Sequence, residues 1–499
     1  MKLEAPDRDA LLALAREHGF ELSDAETELF GAMLGGSLAS LSQLDEAAAT
    51  LTPPEPERHW WEPEARDNPH GAWFVRCEIE GREGGPLAGL RFAAKDNVMV
   101  AGLPMLNGSS IFEGFTAELD ASVVRRLLEA GATLAGKAHC EQLCLSGGSH
   151  TNTRGPVHNP RRHGHTSGGS SSGSAALVAA GEVELAIGGD QGGSIRVPAA
   201  LCGVVGMKPT FGLVPYTGVA PIEASIDHVG PITANVRDNA RMLEAMAGPD
   251  GVDMRQSGAP AGDYLRACDE DVRGLRVALL REGFSAPGMQ PEVASRVRAA
   301  AERLAALGCE VEEVSVPEHA GAGNLAMPLL MQGLYRTLFR DGGQGSGRTD
   351  FYAPRFLEAM SRWREHAADF SGLLKFATLT GAWLERQAGT HYYALAANLA
   401  RASRAAYDLA LRRADALLMP TCPMVAPPLP GPEASLAEQI QRASETTPNT
   451  LPFDATHHPA LSVPWGEVDG LPVGAMLVGR HLEEALLYRI GQALESSTA

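Results

Sequence analysis

Nowhere in the sequence do eighteen apolar residues run together, so no stretch reads as a transmembrane helix. The opening residues, MKLEAPDRDA, lack the apolar core of a secretory signal. Basic residues are in deficit: 42 Lys and Arg face 61 Asp and Glu, for a formal charge of −19. That balance argues against a general binder of phosphate backbones and against adhesion to an anionic membrane. Cysteine is sparse and odd in number, seven in 499 residues, which does not read as a disulfide framework. These absences lead to an expectation of a reducing cytoplasm, with neither nucleic acid nor membrane as partner. No internal repeat is visible.

What is present can fill a large core, since 44% of residues are hydrophobic, and the length allows two to four domains. Residues 1 to about 50 read as a separate helical piece. Pro6-Asp7 opens one helix, Gly19 stops it, and Ser23-Asp24 opens a second through Leu29, Met33 and Leu34. A structural cap or an oligomerisation surface is the role expected of it, with a homodimer through these helices as the partner expectation. TPPEPERHWWEPEARDNP (52–69) is Pro-rich and charged, and reads as a linker.

Strand and helix signals alternate beyond it, so the class is α/β. Phe74–Glu80 reads as a strand, LAGLRFAAKDN as a strand ending at Lys95, Ser122–Ala130 as a helix capped by Gly131, and ATLAG as a strand. GATLAGK (131–137) matches the spacing of a phosphate-cradling loop, but Ala138 stands where Ser or Thr must hold magnesium, so that motif is rejected. Residues 139–165 are rich in His and Cys. Cys140 and Cys144 are spaced to share a helix face, yet Cys-x-x-Cys and His-x-x-x-His spacings are missing, and small buried hydrophobes fit better than zinc ligands. Further on, GVVGMKPTFGLVPYTG predicts a strand and turns, and SIDHVGPIT a loop entering a helix. GLRVALLRE, Pro291–Leu307 and CEVEEVSV make a β-α-β unit. Residues 318–350 read as a long irregular, glycine-rich loop and are expected to carry substrate selectivity. A helix around Ala402–Arg413, the strand ALLMPT, two strands in 459–478 and a closing helix Leu482–Leu494 complete the chain.

The stretch Gly168–Ala199 stands out. SAALVAAG fits a short buried helix and VELAI a short buried strand, and glycines bracket both. Each bend presents a serine, Ser170 at the first and Ser194 at the second. Glycines 192 and 193 let successive backbone N–H groups converge on one point before Ser194, an oxyanion hole in outline. Asp190 and Arg196 flank that turn as a candidate ion pair. With Lys95 available, hydroxyls at glycine bends suggest acyl transfer by a serine nucleophile and a lysine base. Gly169–Gly173 also matches the GxSxG elbow of α/β-hydrolases, whose histidine and acid cannot be picked from the sequence.

This stretch resembles the signature of the amidase signature family: GGSSSG at one end, DQGGSIRVPA at the other, and serines 24 positions apart. KDN at 95–97, GPVHNP at 155–160, GVVGMKPTFG, DHVGPIT and PALSVP resemble further family blocks in the same order, from about residue 70 to the C-terminus. DQGGS, CEQLCLSGGS and the N-terminal extension are similar to bacterial nitrile-pathway enantioselective amidases. The resemblance implies a mixed central β-sheet between helical layers, a small N-terminal helical domain with its linker (1–68), and a catalytic domain (69–499). It implies a triad of Ser194 as nucleophile, Ser170 as a bridging serine after a cis peptide, and Lys95 as base, with no metal or cofactor. It also implies an oxyanion hole from the N–H groups of Gln191, Gly192, Gly193 and Ser194, supported by Ser171, Asp190 and Arg196. His457 and His458 stand where the family often has glycine, and stay outside the catalytic set. Walls from Met105, Leu145, Ile226, the 318–350 loop and Thr447–Leu451 would suit aliphatic or aromatic acyl groups.

An ordinary lysine, pKa near ~10.4, is protonated at neutral pH and cannot serve as a base. Neutralising it needs a lowering of about three units, roughly 4 kcal/mol, from burial or a neighbouring cation. The expected activity is hydrolysis of a small carboxamide to carboxylate and ammonia. Alternatives are a carbamate, aryl-ester or anilide hydrolase using the same triad, a glutamine amidotransferase-type subunit, or a non-catalytic scaffold that kept the fold.

Overall fold

The structure is a computed structural model describing residues 4–51, 56–321, 323–349 and 351–497. It divides into two compact units, Met1–Pro56 and Glu57–Ala499. In the first, helices Arg8–Glu17 and Asp24–Leu51 start where the caps fall. Asp7 accepts from Ala10 N at 2.8 Å. Ser23 and Glu26 form a reciprocal capping box, Ser23 N donating to Glu26 at 2.8 Å and Glu26 N to Ser23 Oγ at 3.3 Å.

Among the described residues the second unit is built on fourteen strands. The first seven are β1 (Trp60–Trp61), β2 (Trp73–Ile79), β3 (Arg91–Lys95), β4 (Thr133–Ala138), β5 (His158–Asn159), β6 (Arg162–Thr166) and β7 (Leu185–Asp190). The others are β8 (Val205–Lys208), β9 (His228–Thr233), β10 (Arg276–Leu280), β11 (Glu310–Val314), β12 (Ala416–Pro420), β13 (Ala460–Val468) and β14 (Leu471–Val478). Twelve form one sheet in the order β1-β2-β4-β3-β7-β9-β8-β13-β14-β12-β10-β11, while β5 and β6 form a separate hairpin. The sheet is mixed: β4-β3-β7 and β12-β10-β11 run parallel, and the remaining pairs are antiparallel.

Both faces of the sheet are covered, which is why its central strands are buried at nearly every position rather than at alternate ones. Successive side chains point to opposite faces. Phe92, Ala94, Leu185 and Ile187 join Val236, Val293 and Leu487 from helices Val236–Met246, Pro291–Ala306 and Glu484–Glu495. Ala93 and Ala186 instead meet Ala175, Ala176 and Ala199 of helices Ser172–Ala179 and Arg196–Cys202. Small residues on this second face bring both helices, and the two serine turns before them, close to the strand ends.

Five sequence expectations change. SIDHVGPIT is not a loop, for His228–Thr233 is a fully buried strand between β7 and β8. Its glycine and proline read as punctuation, yet Pro231 is accommodated opposite Ile187. Residues 318–350 are largely helical, with a short turn of helix at Pro317–Gly321, a helix at Gly323–Ala326, and π-helical windings at Met327–Gln332 and Tyr335–Arg340. Leu325, Leu329, Leu334 and Leu338 are buried there, an apolar ladder hidden by the glycines at either end. Cys140 and Cys144 share no helix face, because Leu143 and Cys144 take positive φ values of 47° and 60° in a tight turn. Trp60 and Trp61, within the stretch read as linker, add a short strand to the sheet edge. The helix expected around Ala402–Arg413 already begins at His391. Among the described residues no helix is long and apolar enough to cross a membrane.

Candidate active site

Lys95 is the last residue of β3 and is fully buried. Its Nζ donates to Ser170 Oγ at 2.8 Å and to Gly189 O at 3.2 Å. Ser170 follows a cis peptide from Gly169, and its carbonyl accepts from Glu141 N at 3.2 Å. Ser171 clamps the turn to β7: its Oγ donates to Gly189 O and accepts from Gly189 N, both at 3.2 Å. Helix Ser172–Ala179 starts immediately afterwards.

The second turn leaves the end of β7. Asp190 Oδ1 accepts from Gly193 N at 2.5 Å, and Oδ2 from Ile195 N at 3.1 Å. Arg196 grips the same carboxylate twice, Nε to Oδ2 at 2.9 Å and Nη2 to Oδ1 at 3.0 Å. It also reaches Asp454 Oδ2 at 2.7 Å and Thr450 O at 2.8 Å. All three side chains are buried, and burial with the neighbouring Asp190 charge pushes the Asp454 carboxyl well above its usual range. Burial opposes ionisation of Asp190, but the Arg196 charge and hydrogen bonds outweigh it and hold this carboxyl well below its usual range. Nearby Lys208 is pushed down to about 7, chiefly by burial.

Gly193 shows why this turn needs glycine. Its φ is +134°, and a Cβ there would sit 2.2 Å from Thr450 Oγ1. That hydroxyl donates to Gly192 O at 2.6 Å, so residue 450 braces the turn from outside. Of the four N–H groups expected to form the oxyanion hole, that of Gly193 is already given to Asp190. Ser194 O accepts from Ser171 N at 3.3 Å, which ties the two serine turns together.

Ser194 is 8% exposed and lines a cleft of about 180 Å³. Gln191, Gly192, Leu145, Ile222, Leu330, Met331, Leu373, Thr447 and Leu451 share that lining. Ile226 lines an adjoining apolar recess with Gln191, Leu325, Leu329 and Leu451. The 318–350 segment thus reaches the cleft through helical residues. Met105 does not line it; it lies buried in the cluster of Ile111, Phe112 and Phe356. His457 stacks on Phe211, with centroids 4.2 Å apart, and bonds Ser225 O through Nε2 at 2.8 Å. His458 faces Asp408. Neither histidine lines the cleft.

Several residues of the site escaped sequence reasoning. Lys137 and Asp96 form a fully buried ion pair at 2.9 Å. Asp96 Oδ2 also accepts from Leu106 N and Asn107 N, at 2.9 and 2.8 Å. Lys137 sits in the apolar strand TLAGKA much as Lys95 sits in RFAAK, and that was the available signal. Glu141 accepts from Thr151 N and Thr151 Oγ1 at 2.7 Å each and from Ser172 Oγ at 2.9 Å. Burial pushes its carboxyl up to about 7 against those donors. Gln191 Nε2 donates to Tyr216 OH at 2.9 Å. Cys140 and Cys144 both reach Asn107 Oδ1, at 3.7 and 3.4 Å. Asp454 carried no local motif, and Thr450 was expected only as part of the wall segment 447–451.

A family model described as Amidase matches residues 75–488. The chain is 45% identical over 495 residues to the enantioselective amidase of Rhodococcus rhodochrous, covering 98% of this chain and 95% of that protein. Among solved structures, the glutamyl-tRNA(Gln) amidotransferase subunit of Thermotoga maritima superposes with a TM-score of 0.72 at 30% identity, covering 86% of this chain and 88% of that one. The native peptide amidase of Stenotrophomonas maltophilia gives a TM-score of 0.67 at 32% identity, with 83% of each chain covered. With the mixed sheet and both serine turns in place, these similarities make the chain a member of the amidase signature family, a hydrolase acting on amide C–N bonds.

Proposed function

We propose that the unit beginning near residue 69 hydrolyses a small aliphatic or aromatic carboxamide through an acyl-enzyme formed on Ser194. The observation that carries this reading is the buried contact of Lys95 Nζ with Ser170 Oγ at 2.8 Å, beside the turn that presents Ser194 to the cleft. In this relay the Lys95 amine takes the Ser170 proton, and Ser170 takes that of Ser194. Ser194 Oγ then bonds to the amide carbon. The carbonyl oxygen becomes an oxyanion, and the N–H groups of Gln191, Gly192 and Ser194 are the candidate donors to it. The proton returns through Ser170 to the amide nitrogen as the C–N bond breaks and ammonia leaves. Water then attacks the acyl-enzyme by the same relay, releasing the carboxylate and restoring Ser194.

The support for a small uncharged acyl group is the lining: Leu145, Ile222, Leu330, Met331 and Leu451 face the cleft, and no Lys, Arg, Asp or Glu joins them among the described residues. Substituting Lys95, Ser170 or Ser194 with alanine is expected to lower turnover by at least roughly 10³-fold while the fold persists. A fluorophosphonate is expected to label wild type but not Ser194→Ala. A Ser194→Ala protein with near-wild-type activity moves the nucleophile elsewhere. Ammonia release across a panel of small amides, read beside product release from anilides, aryl esters and carbamates, ranks the substrate classes.

A further inference from the structure

Three segments distant in sequence converge outside the Ser194 cleft: helix His391–Leu411, the turn following Ala455, and the turn after β14. They contribute Asp408, His458 and His481, none of which lines the cleft. His458 Nε2 lies 3.1 Å from Asp408 Oδ1, and His481 Nδ1 lies 3.9 Å from the same oxygen. One ligand atom from each residue falls within 4.8 Å of the other two.

Thr456 orients both rings. Its Oγ1 is 2.9 Å from His458 Nδ1, and its carbonyl is 3.1 Å from His481 Nε2. A carbonyl only accepts, so His481 carries its proton on Nε2, and in the neutral ring Nδ1 is left as a lone pair. That lone pair faces a carboxylate oxygen at 3.9 Å, beyond hydrogen-bond reach, so two electron-rich atoms are turned toward each other. A cation between them resolves the opposition. Two donors at about 2.0–2.1 Å from a tetrahedral ion stand roughly 3.3 Å apart. Asp408 and His458 are already near that spacing, while His481 must draw in from 3.9 Å on Asp408 and from within 4.8 Å on His458. Ligand histidines whose second nitrogen is fixed by a neighbouring oxygen are the usual pattern at such centres.

We infer that Asp408, His458 and His481 form a site for a zinc-class divalent cation, with a fourth position open to water. On binding, His458 presents Nε2 to the ion, and its proton moves to Nδ1, where Thr456 Oγ1 accepts it. The Arg404 guanidinium approaches the other carboxylate oxygen of Asp408 at 4.0 Å and opposes the cation without blocking the ligand oxygen. The ion ties the long helix to the segment that carries Thr450 and Asp454, the residues gripping Arg196. Its role is to hold the site's support, outside the reaction itself.

The test uses the full chain, stripped with a chelator and titrated with zinc by calorimetry, with thermal unfolding followed in parallel. Asp408→Asn and His481→Gln are the informative variants, since both residues are partly exposed while His458 is fully buried. His163→Ala is the control, because His158 and His163 stack at 3.9 Å and offer a competing surface site. The expected result is one zinc equivalent that raises Tm in wild type and in His163→Ala. Affinity for it falls at least tenfold in the other two variants. Cobalt(II) gives a second readout: the visible absorption of a four-coordinate ion in wild type, absent in both ligand variants. Zinc binding of unchanged stoichiometry and affinity in Asp408→Asn and His481→Gln overturns the inference, as does a wild-type chain that takes up no zinc.

Discussion

Arg196 joins the turn of Ser194, the proposed nucleophile, to the segment at 450–454, and removing it should be costly in a way the structure lets one work out. Arg196→Met deletes four hydrogen bonds to oxygen, two to Asp190, one to Asp454 and one to Thr450 O, and a longer one to Met476 Sδ. The methionine fills much of the volume, so the cavity contribution is small. What remains is a buried carboxylate at Asp190 with its cation gone, and breaking a buried pair by removing one partner costs about 3–5 kcal/mol. Arg196→Lys keeps the charge but lacks the planar fork that holds both Asp190 oxygens, so it should fall between, at about 1.5–3 kcal/mol. Turnover should fall as well, because Asp190 positions Gly193 and Ile195 through their N–H groups. Urea unfolding at neutral pH measures the stability change, and ammonia release measures turnover. Asp190→Asn added to Arg196→Met should recover part of the loss, since it removes the stranded charge. The reasoning is refuted if Arg196→Met unfolds within about 1 kcal/mol of wild type, or if the double variant is destabilised by the full sum of the singles.

Glu141 gives a pH signature. Its carboxyl rises from 4.5 to about 7 on folding, so its contribution is fully present below the unfolded value and is lost as pH climbs through the folded one. Subtracting the stability profile of Glu141→Gln from that of wild type should expose a decline of about 3 kcal/mol between about pH 4 and about pH 8, and a flat difference contradicts the burial argument. Gly193→Ala forces a Cβ to within 2.2 Å of Thr450 Oγ1. Its kcat is expected to drop by roughly 10²–10³, the scale of losing an oxyanion donor, and an unchanged kcat removes this turn from the reaction. The N-terminal unit exposes Phe20, Leu29, Met33 and Leu44, so deleting residues 1–56 is expected to convert a dimer to a monomer in light scattering. Equal association states with and without the segment count against a dimerisation role.

The parts of the fold that were legible share one property: their burial or capping is local. The helix start at Ser23-Asp24, helix Ser172–Ala179 and the strands at 460–478 each declare themselves within about ten residues. β9 did not, because a strand with neighbours on both sides gets its hydrogen bonds from partners distant in the chain, and glycine and proline inside it look like a loop. The 318–350 segment misled for the opposite reason, its terminal glycines outweighing the buried leucines between them. At the candidate site, Lys95, Ser170, Asp190, Ser194 and Arg196 could be picked out as candidates because each lies at or beside a strand end or glycine bend. Asp454 was not, and Thr450 was named only within the wall segment 447–451, since what they do depends on Arg196 and Gly192, more than 250 residues away.

That distance bears on why the chemistry sits where it does. β3 and β7 are adjacent parallel strands, so their C-terminal ends, carrying Lys95 and Asp190, emerge side by side. The two serine turns meet at that edge, one running into helix Ser172–Ala179 and the other leaving β7, and Ser171 N joins them by its bond to Ser194 O. On its other side β7 pairs with the antiparallel β9, so the change of strand direction falls beside Asp190. Ligand sites in open α/β sheets favour the crevice at the carboxyl ends of parallel strands, where backbone groups are left unpaired. Here Gly189 O, left over at that edge, accepts from both Lys95 Nζ and Ser171 Oγ, at 3.2 Å each. A single carbonyl thus aligns the lysine and the first serine turn, and the proposed relay is assembled from what the sheet leaves unsatisfied rather than from a separate scaffold.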